Sequence, residues 1–300
     1  MTLPRSIVPG STYMVTRRCT QRQFLLKPSA LTNQIFAYCL GLGAKMTDVM
    51  LHAYVVMSNH WHAILTDPEG RLPEFTEWVH KFAAKCMNAQ LGRWENLWSS
   101  EHCSDVLLTG PEDVLNKIIY VVTNPVNAEL VERAHQWPGL ISMPSDYTSG
   151  PVLIEKPDIF FRPDGTVPES VPLEIVVPPA FGDMPPEEFR RLIEREQHRE
   201  ENRVLRKMSK EGRRVMGVKK ILAQSVYDSP RTNAPHRGLN PRLAAVNKWR
   251  RLETIRRLKS FIIAYRRALE QFKAGVRHIV FPVGTYWMKR FGGVACGLPG

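Results

Sequence analysis

The chain has 300 residues, of which 43% are hydrophobic and 23% are charged, a composition typical of a globular protein large enough for two domains. No run approaches the roughly 18 apolar residues of a membrane-spanning helix, and the first residues lack the pattern of a secretory signal. We therefore expect a cytoplasmic protein rather than an integral membrane or exported one.

The net charge of +12 is unevenly distributed along the sequence. Residues 1–186 contain 14 Lys and Arg against 19 Asp and Glu, whereas residues 187–300 contain 27 against 10. Such asymmetry is typical of a segment that binds phosphate groups, because that binding releases counterions. A solvated basic surface without a ligand is the alternative interpretation.

The five cysteines are odd in number and widely spaced, without a C-x-x-C pair. This pattern favours reduced, mostly buried thiols over a zinc site or a set of disulfides. They are Cys19, Cys39, Cys86, Cys103 and Cys296.

Strands and helices alternate in the first half of the chain. The predicted elements are strand 13–19, helix 28–42, strands 49–57 and 61–66, helix 73–91, a strand within 98–108 and helix 111–123. Gly41 and Gly43 are expected to close the first helix, and Ser58 and Asn59 have the residue types of a turn. This order predicts an α+β sandwich, in which helices cover one sheet.

Prolines crowd residues 141–186 and exclude a long helix there. We therefore predict three regions: a domain over 1–145, a proline-rich linker over 146–186 and a basic, mainly helical region over 187–300. Helices are expected at 187–210 and 243–274. The apolar stripe of the second helix consists of Leu252, Ile255, Phe261, Ile262, Tyr265 and Leu269.

Two histidines, His60 and His62, flank Trp61 at the start of a predicted strand. Alternate strand residues project from one face, so both imidazoles can reach one ion. Such a pair alone is more typical of ordinary polar residues than of a metal site, and a third ligand is needed.

The helix predicted at 111–123 offers further candidates. Its apolar residues at helical spacing are Leu115, Ile118, Ile119 and Val122. Tyr120 and Asn124 lie off this stripe and, four residues apart, project from one face. Pro125 is expected to end the helix and to leave the Asn124 amide near a frayed end. Packing of Tyr120 against the linker or another helix is the alternative to a functional role.

Three segments of the sequence resemble those of REP-associated tyrosine transposases, which are single-tyrosine His-hydrophobic-His endonucleases. They are YMVTRRCTQRQFLL at 13–26, YVVMSNHWHAIL at 54–65 and YVVTNPVNAELV at 120–131. The resemblance covers roughly the first 150 residues in order and spacing.

The resemblance implies a ferredoxin-like α/β sandwich with an antiparallel sheet, in a bacterial protein associated with the nucleoid. It also implies that His60 and His62 bind a divalent metal, Mg or Mn, and that Tyr120 is the nucleophile. Asn124 stands where an amide ligand is often found in the wider superfamily. Judged by the ligand preference of imidazole alone, zinc would fit the two histidines as well as magnesium or manganese. The implied activity cleaves and rejoins single-stranded or hairpin DNA through a phosphotyrosine, without a nucleotide cofactor.

Arginines supply the predicted DNA contacts. Near the first strand these are Arg17, Arg18 and Arg22, and in the basic region they are Arg250, Arg251, Arg256 and Arg257. The aromatic residues among the latter are expected mainly to pack, as aromatic residues at helical spacing usually do. They are Trp249, Phe261, Tyr265 and Phe272.

Two other functions stay open at this point. A domesticated descendant that binds DNA without cutting it would have the same fold and basic segment. This second function is disfavoured because the sequence retains all four candidate site residues, His60, His62, Tyr120 and Asn124. A zinc-dependent hydrolase would need a water-activating carboxylate beside the histidines, and none is adjacent in sequence.

Overall fold

A computed structural model of the protein describes residues 4–162, 165–231 and 241–297. Pro163 of the predicted linker and positions 232–240 and 298–300 of the predicted basic region lie outside these residues. The strands are β1 (Ser11–Arg18), β2 (Met50–Met57), β3 (His60–Asp67), β4 (Ser104–Leu108), β5 (Val152–Glu155), β6 (Ser170–Leu173), β7 (Leu243–Ala244), β8 (Val280–Phe281) and β9 (Ala295–Cys296). The α-helices are α1 (Ala30–Thr47), α2 (Leu72–Leu91), α3 (Pro111–Val122), α4 (Asn124–Asn127), α5 (Asp146–Ser149), α6 (Pro186–Lys210), α7 (Val218–Ala223), α8 (Lys248–Lys273) and α9 (Trp287–Phe291).

The central sheet has the strand order β2-β3-β1-β4-β7. Its first four strands pair antiparallel and follow one another along the chain as strand, helix, strand, strand, helix, strand. This order is that of a ferredoxin-like α/β sandwich, so the predicted fold class is confirmed. The two-residue strand β7 adds a parallel edge beside β4.

Helices cover both faces of this sheet. Consecutive strand residues point to opposite faces, and β3 shows which helices lie on each. The indole of Trp61, fully buried, lies 5.6 Å from the His80 ring of α2, while the neighbouring His62 ring contacts α3. Helices α1 and α2 pack together on the first face, whereas α3 packs on β2, β3 and α6 on the second.

Helix α1 corrects one prediction, because it continues through Gly41 and Gly43 to Thr47. A Cβ atom at Gly41 would lie 2.7 Å from the backbone oxygen of Pro172, and one at Gly43 would lie 3.1 Å from the Phe75 ring. The two glycines therefore allow close packing in the interior of the helix rather than ending it.

Helix α3 corrects two further expectations. Leu115 and Ile119 are only half-buried, because the fully buried face of the helix instead includes Val114, Ile118 and Val121. The helix ends at Val122, and Asn124 begins the separate turn α4. Asn124 is not at a frayed end, since it is only 6% exposed.

The segment predicted as a linker contributes to the main core. Strands β5 and β6 form a hairpin, and Leu173 and Ile175 are buried in the same apolar cluster as the sheet. Helix α6 joins that cluster through Phe189 and Ile193. The three regional boundaries stay predictions, but the core itself extends beyond residue 186.

Helix α8 is shorter than predicted and is sparsely packed. It begins at Lys248, because the Asn247 side chain accepts hydrogen bonds from the first turn and residues 243–244 form β7. Only Phe261 and Ala268 are fully buried in it. Trp249 is 75% exposed, so its predicted packing role is wrong. Within the described residues no helix is long and apolar enough to cross a membrane.

The cysteine side chains are all free thiols, as predicted. Cys19, Cys39 and Cys86 are buried, and Cys103 and Cys296 are half-buried. Burial raises the pKa of the Cys86 thiol to about 12, which leaves it protonated and unreactive at neutral pH.

Candidate active site

The two histidines lie at the start of β3, directly after the tight turn that joins it to β2. His60 pairs with Arg18 and His62 with Thr16 across the β1–β3 ladder. Side chains at these positions share one face of the sheet, and the two imidazole rings have their centroids 4.7 Å apart. The pairing of strands therefore brings the two rings together, as the alternation in the sequence predicts.

Each imidazole is oriented by a hydrogen bond at Nδ1. The Nδ1–H of His60 donates a hydrogen bond to Asn59 Oδ1 at 2.7 Å. The Nδ1 of His62 lies 2.7 Å from the Thr16 hydroxyl oxygen, which can accept a hydrogen bond from it. In this arrangement the lone pair of each ring is on Nε2. The Nε2 of His62 is buried and has no hydrogen-bond partner among the described residues.

The charges around the histidines favour their neutral form. Burial, reinforced by Arg18 and Arg22, lowers the pKa of His60 to about 4. Burial, together with His60, Arg18 and Lys117, holds the pKa of His62 well below its ordinary value. Both rings are therefore neutral at physiological pH, which is the form that binds a metal ion.

Tyr120 is held against this pair by α3. Its ring centroid lies 5.5 Å from that of His62, and the residue is 41% exposed. The Lys117 ammonium, one helical turn earlier, lies 5.4 Å from the same ring centroid. Lys117 was not among the predicted site residues, although its position three residues before Tyr120 places the two side chains on the same side of a helix.

The residues present fit a divalent metal at the two histidines. In the described part of the chain no group of three or more His, Cys, Asp or Glu residues is placed to hold a metal ion. The buried, unpartnered Nε2 of His62 is an available ligand atom, and two neutral imidazoles plus oxygen donors suit a divalent cation. No hydrogen bond joins the Asn124 side chain to either imidazole among the described residues, and its role as third ligand stays a prediction.

The three arginines predicted near β1 differ in their surroundings. Arg17 donates to the backbone carbonyls of Ser99, at 2.9 Å, and Glu101, so it holds the loop before β4. Arg18 is exposed beside His60, and Arg22 is close enough to lower the pKa of His60. Arg18 and Arg22, rather than Arg17, therefore present positive charge at the histidine pair.

The four arginines predicted in the basic region are exposed on α8. Arg250 lies over Gly110, the residue that precedes α3, and Arg257 forms an ion pair with Glu253. No contact joins any of the four to Tyr120 or the histidine pair in the described residues. Their role in DNA binding stays a prediction.

A cleft of about 550 Å³ opens beside Tyr120, between α3 and α6. Its α3 wall includes Leu115, Asn116 and Ile119, and its α6 wall includes Arg199 and Arg203. The sequence analysis placed α6 beyond a linker and did not connect it with Tyr120. Only the tertiary packing of α3 on α6 shows that they share a surface.

Two other histidines are structural, the buried His52 and the half-buried His80. Both ring nitrogens of His52 are hydrogen-bonded, Nδ1 to the Val176 carbonyl and Nε2 to the Thr66 hydroxyl, each at 2.8 Å. The His80 ring packs between Trp61 and Trp98, with centroids 5.6 and 5.4 Å away. Burial lowers the pKa of His52 to about 4 and that of His80 to about 3.

Comparison with known proteins gives similar solved structures, whereas no protein-family model and no curated protein matches the chain. One is a REP-associated tyrosine transposase bound to a REP hairpin, 19% identical, with a TM-score of 0.39, covering 59% of this chain and 99% of that chain. Another is a putative transposase from Deinococcus radiodurans R1, 20% identical, with a TM-score of 0.29, covering 41% and 97%.

Proposed function

We propose that this protein is a metal-dependent tyrosine endonuclease and strand transferase of the transposase type, acting on single-stranded DNA. The observation that carries the proposal is the contact between a half-exposed tyrosine and a neutral histidine pair, with centroids 5.5 Å and 4.7 Å apart. Tyr120 is 41% exposed and lies against the His62 ring, whose buried Nε2 has no hydrogen-bond partner in the described part of the chain.

The proposed reaction is an in-line displacement at phosphorus. The phenolic oxygen of Tyr120 forms a bond to phosphorus, and the bond from phosphorus to the leaving deoxyribose oxygen breaks. The phenol gives up its proton, and the leaving oxygen takes one up. The products are a phosphotyrosine at one DNA end and a free hydroxyl at the other, and the reverse reaction rejoins the strand.

The surrounding residues account for each requirement of this step. Lys117, whose ammonium lies 5.4 Å from the ring centroid, would supply a positive charge beside the nucleophile and offset negative charge that develops during the attack. Arg18 and Arg22 offset the negative charge of the phosphate. His60 and His62 would hold the divalent ion, with Asn124 proposed as third ligand. That ion, Mg or Mn, would act as a Lewis acid on phosphate oxygens.

The proposed substrates are short palindromic repeats that fold into hairpins. This substrate class comes from the resemblance of residues 13–26, 54–65 and 120–131 to the transposase segments. The basic excess after residue 186 supports a nucleic-acid partner in general, since phosphate contacts dominate such affinity.

The experiment that tests the proposal mixes the purified protein with a labelled single-stranded hairpin oligonucleotide and manganese. A covalent protein–DNA adduct is expected on a denaturing gel, and Tyr120→Phe should abolish it because only the nucleophilic oxygen is removed. Tyr227→Phe is the matched control, since Tyr227 is 56% exposed and lies outside the site. It should retain the adduct.

The opposite outcome also has a clear meaning. Binding without an adduct, across several oligonucleotides and metals, would replace the nuclease by a non-catalytic DNA-binding protein. An adduct that persists in Tyr120→Phe would assign the nucleophile to another residue.

A further inference from the structure

A continuous groove leads away from Tyr120 along α6. The cleft beside Tyr120 adjoins a second one of about 500 Å³, and Arg199 and Arg203 line both. The second cleft continues past Arg206 to Lys210. We name this surface the α6 groove and define it by Ile119, Tyr120, Arg199, Arg203, Arg206 and Lys210.

The cations of the groove follow one face of α6. Residues 199, 203, 206 and 210 are spaced by four, three and four positions, which places them in one row along a helix. The opposite face is fixed in the core by Gln197, Glu201, Val204 and Met208. At about 1.5 Å per residue the row is roughly 16 Å long, enough to contact several successive phosphates.

Positive charge increases along the groove with distance from Tyr120. Near the tyrosine, Arg199 pairs with Glu196 at 3.5 Å and Arg203 with Glu200 at 2.7 Å. Further along, Arg206, Lys207 and Lys210 form no ion pair within the described residues. Among the described residues, three cations without an ion pair therefore lie at the far end of the groove, which is also lined by Glu211, a residue that pairs with Arg213.

We propose that the α6 groove binds the phosphodiester backbone of the single-stranded segment that adjoins the cleaved phosphate. This inference rests on the proposed function. The α6 wall carries Arg199 and Arg203 beside Glu196 and Glu200, while the α3 wall carries the half-buried side chains of Leu115 and Ile119. Such a pair of walls suits a single strand, whose phosphates and exposed bases face different sides.

The test measures fluorescence anisotropy of a labelled hairpin oligonucleotide with a single-stranded tail, at several salt concentrations. All proteins carry Tyr120→Phe, so that covalent capture cannot contribute. The variant R206Q/K210Q is compared with K81Q/K85Q, which removes two exposed lysines from α2 on the other face of the sheet. Thermal melting checks that both variants are folded.

We expect R206Q/K210Q to weaken binding roughly tenfold at low salt and to reduce the salt slope by about 1.4, because each single-strand phosphate contact contributes about 0.7. K81Q/K85Q should change neither value. Binding by R206Q/K210Q equal to that of the control would overturn the proposal. Preferential capture of an acidic peptide over the oligonucleotide would overturn it as well.

The adduct assay separates this proposal from the proposed function. Weakened binding by R206Q/K210Q without any adduct in the unmodified protein would retain the groove and reject the tyrosine chemistry. An adduct together with unchanged binding by R206Q/K210Q would retain the tyrosine chemistry and reject the α6 groove as a DNA-binding surface.

Discussion

The Nε2 atom of His62 is the most informative single atom in the site. A buried polar atom without a hydrogen-bond partner costs about 1–3 kcal/mol. In the described part of the chain Trp61 Nε1 and Gln197 Oε1 are also buried without one, so the surroundings of His62 Nε2 are what distinguish it. Here the other ring nitrogen is held by Thr16 and the ring lies between His60 and Tyr120. A bound cation would satisfy this atom.

The first prediction concerns metal affinity. His62→Ala should weaken binding of Mn²⁺ by roughly tenfold or more, because a ligand on the metal is lost. Isothermal titration calorimetry with Mn²⁺ alone measures this directly. His278→Ala, at an exposed histidine between α8 and β8, should bind Mn²⁺ as the unmodified protein does. Equal affinities in the two variants would remove His62 from the ligand set.

At the scale of elements, strand pairing sets the geometry of the site. The β1–β3 ladder aligns Thr16 with His62, and the hydroxyl fixes the imidazole. A one-residue slip would move both histidines to the face of α1 and α2, where Trp61 is buried. The register is therefore held by the apolar alternation that forms the core.

The second prediction tests this orienting hydrogen bond. Thr16→Val, which keeps the shape but not the hydroxyl, should lower Mn²⁺ affinity roughly tenfold, and Thr16→Ser should largely restore it. Thr12→Val provides the control on the same strand face, because Thr12 bonds to the Thr66 hydroxyl at 2.8 Å instead of to a ligand. If both valine variants lost affinity equally, a general loss of stability would explain the effect.

Local sequence signals predicted some elements better than others. The β2–β3 hairpin was predictable because its alternation and its Ser58–Asn59 turn agree. The end of α1 was not, because an interior glycine required for contact with Pro172 has the same local signature as a terminating glycine. In α3, the spacing of the apolar residues predicted that Tyr120 lies outside the core. It did not show that Leu115 lines the cleft between α3 and α6.

At the scale of the whole molecule, α6 links the site to the rest of the chain. The buried carboxylate of Glu201 accepts hydrogen bonds from Arg133, at 3.0 Å, and from the Ala134 backbone, at 2.9 Å. This network joins the helix to the loop after α4. The prolines before α6 predicted that this helix belongs to a separate region. Its position beside Tyr120 depends on long-range contacts such as these, which no local sequence pattern encodes.

The third prediction concerns the stability of the whole fold against acid. The pKa of buried His52 is lowered from 6.5 to about 4, so the unfolded chain takes up a proton before the folded one. This group therefore causes no loss of stability above about pH 6.5, and its destabilising effect grows as the pH falls toward about 4, by about 1.4 kcal/mol per pH unit.

Urea unfolding at about pH 7 and about pH 4.5 measures this dependence. His52→Gln should reduce the drop in the free energy of unfolding between the two pH values by roughly 2 kcal/mol. The exposed His198→Gln should leave the drop unchanged. An identical drop in the unmodified protein and in His52→Gln would show that His52 does not control it.

The central claim is that Tyr120 becomes covalently linked to DNA, and mapping the linked residue tests it most directly. After reaction with the hairpin oligonucleotide and manganese, nuclease digestion and proteolysis should yield one modified peptide, detected by mass spectrometry. The account predicts that the nucleotide remnant is on Tyr120, 5.5 Å from the His62 ring. A remnant on any other residue, with Tyr120 unmodified in every peptide, would contradict the account.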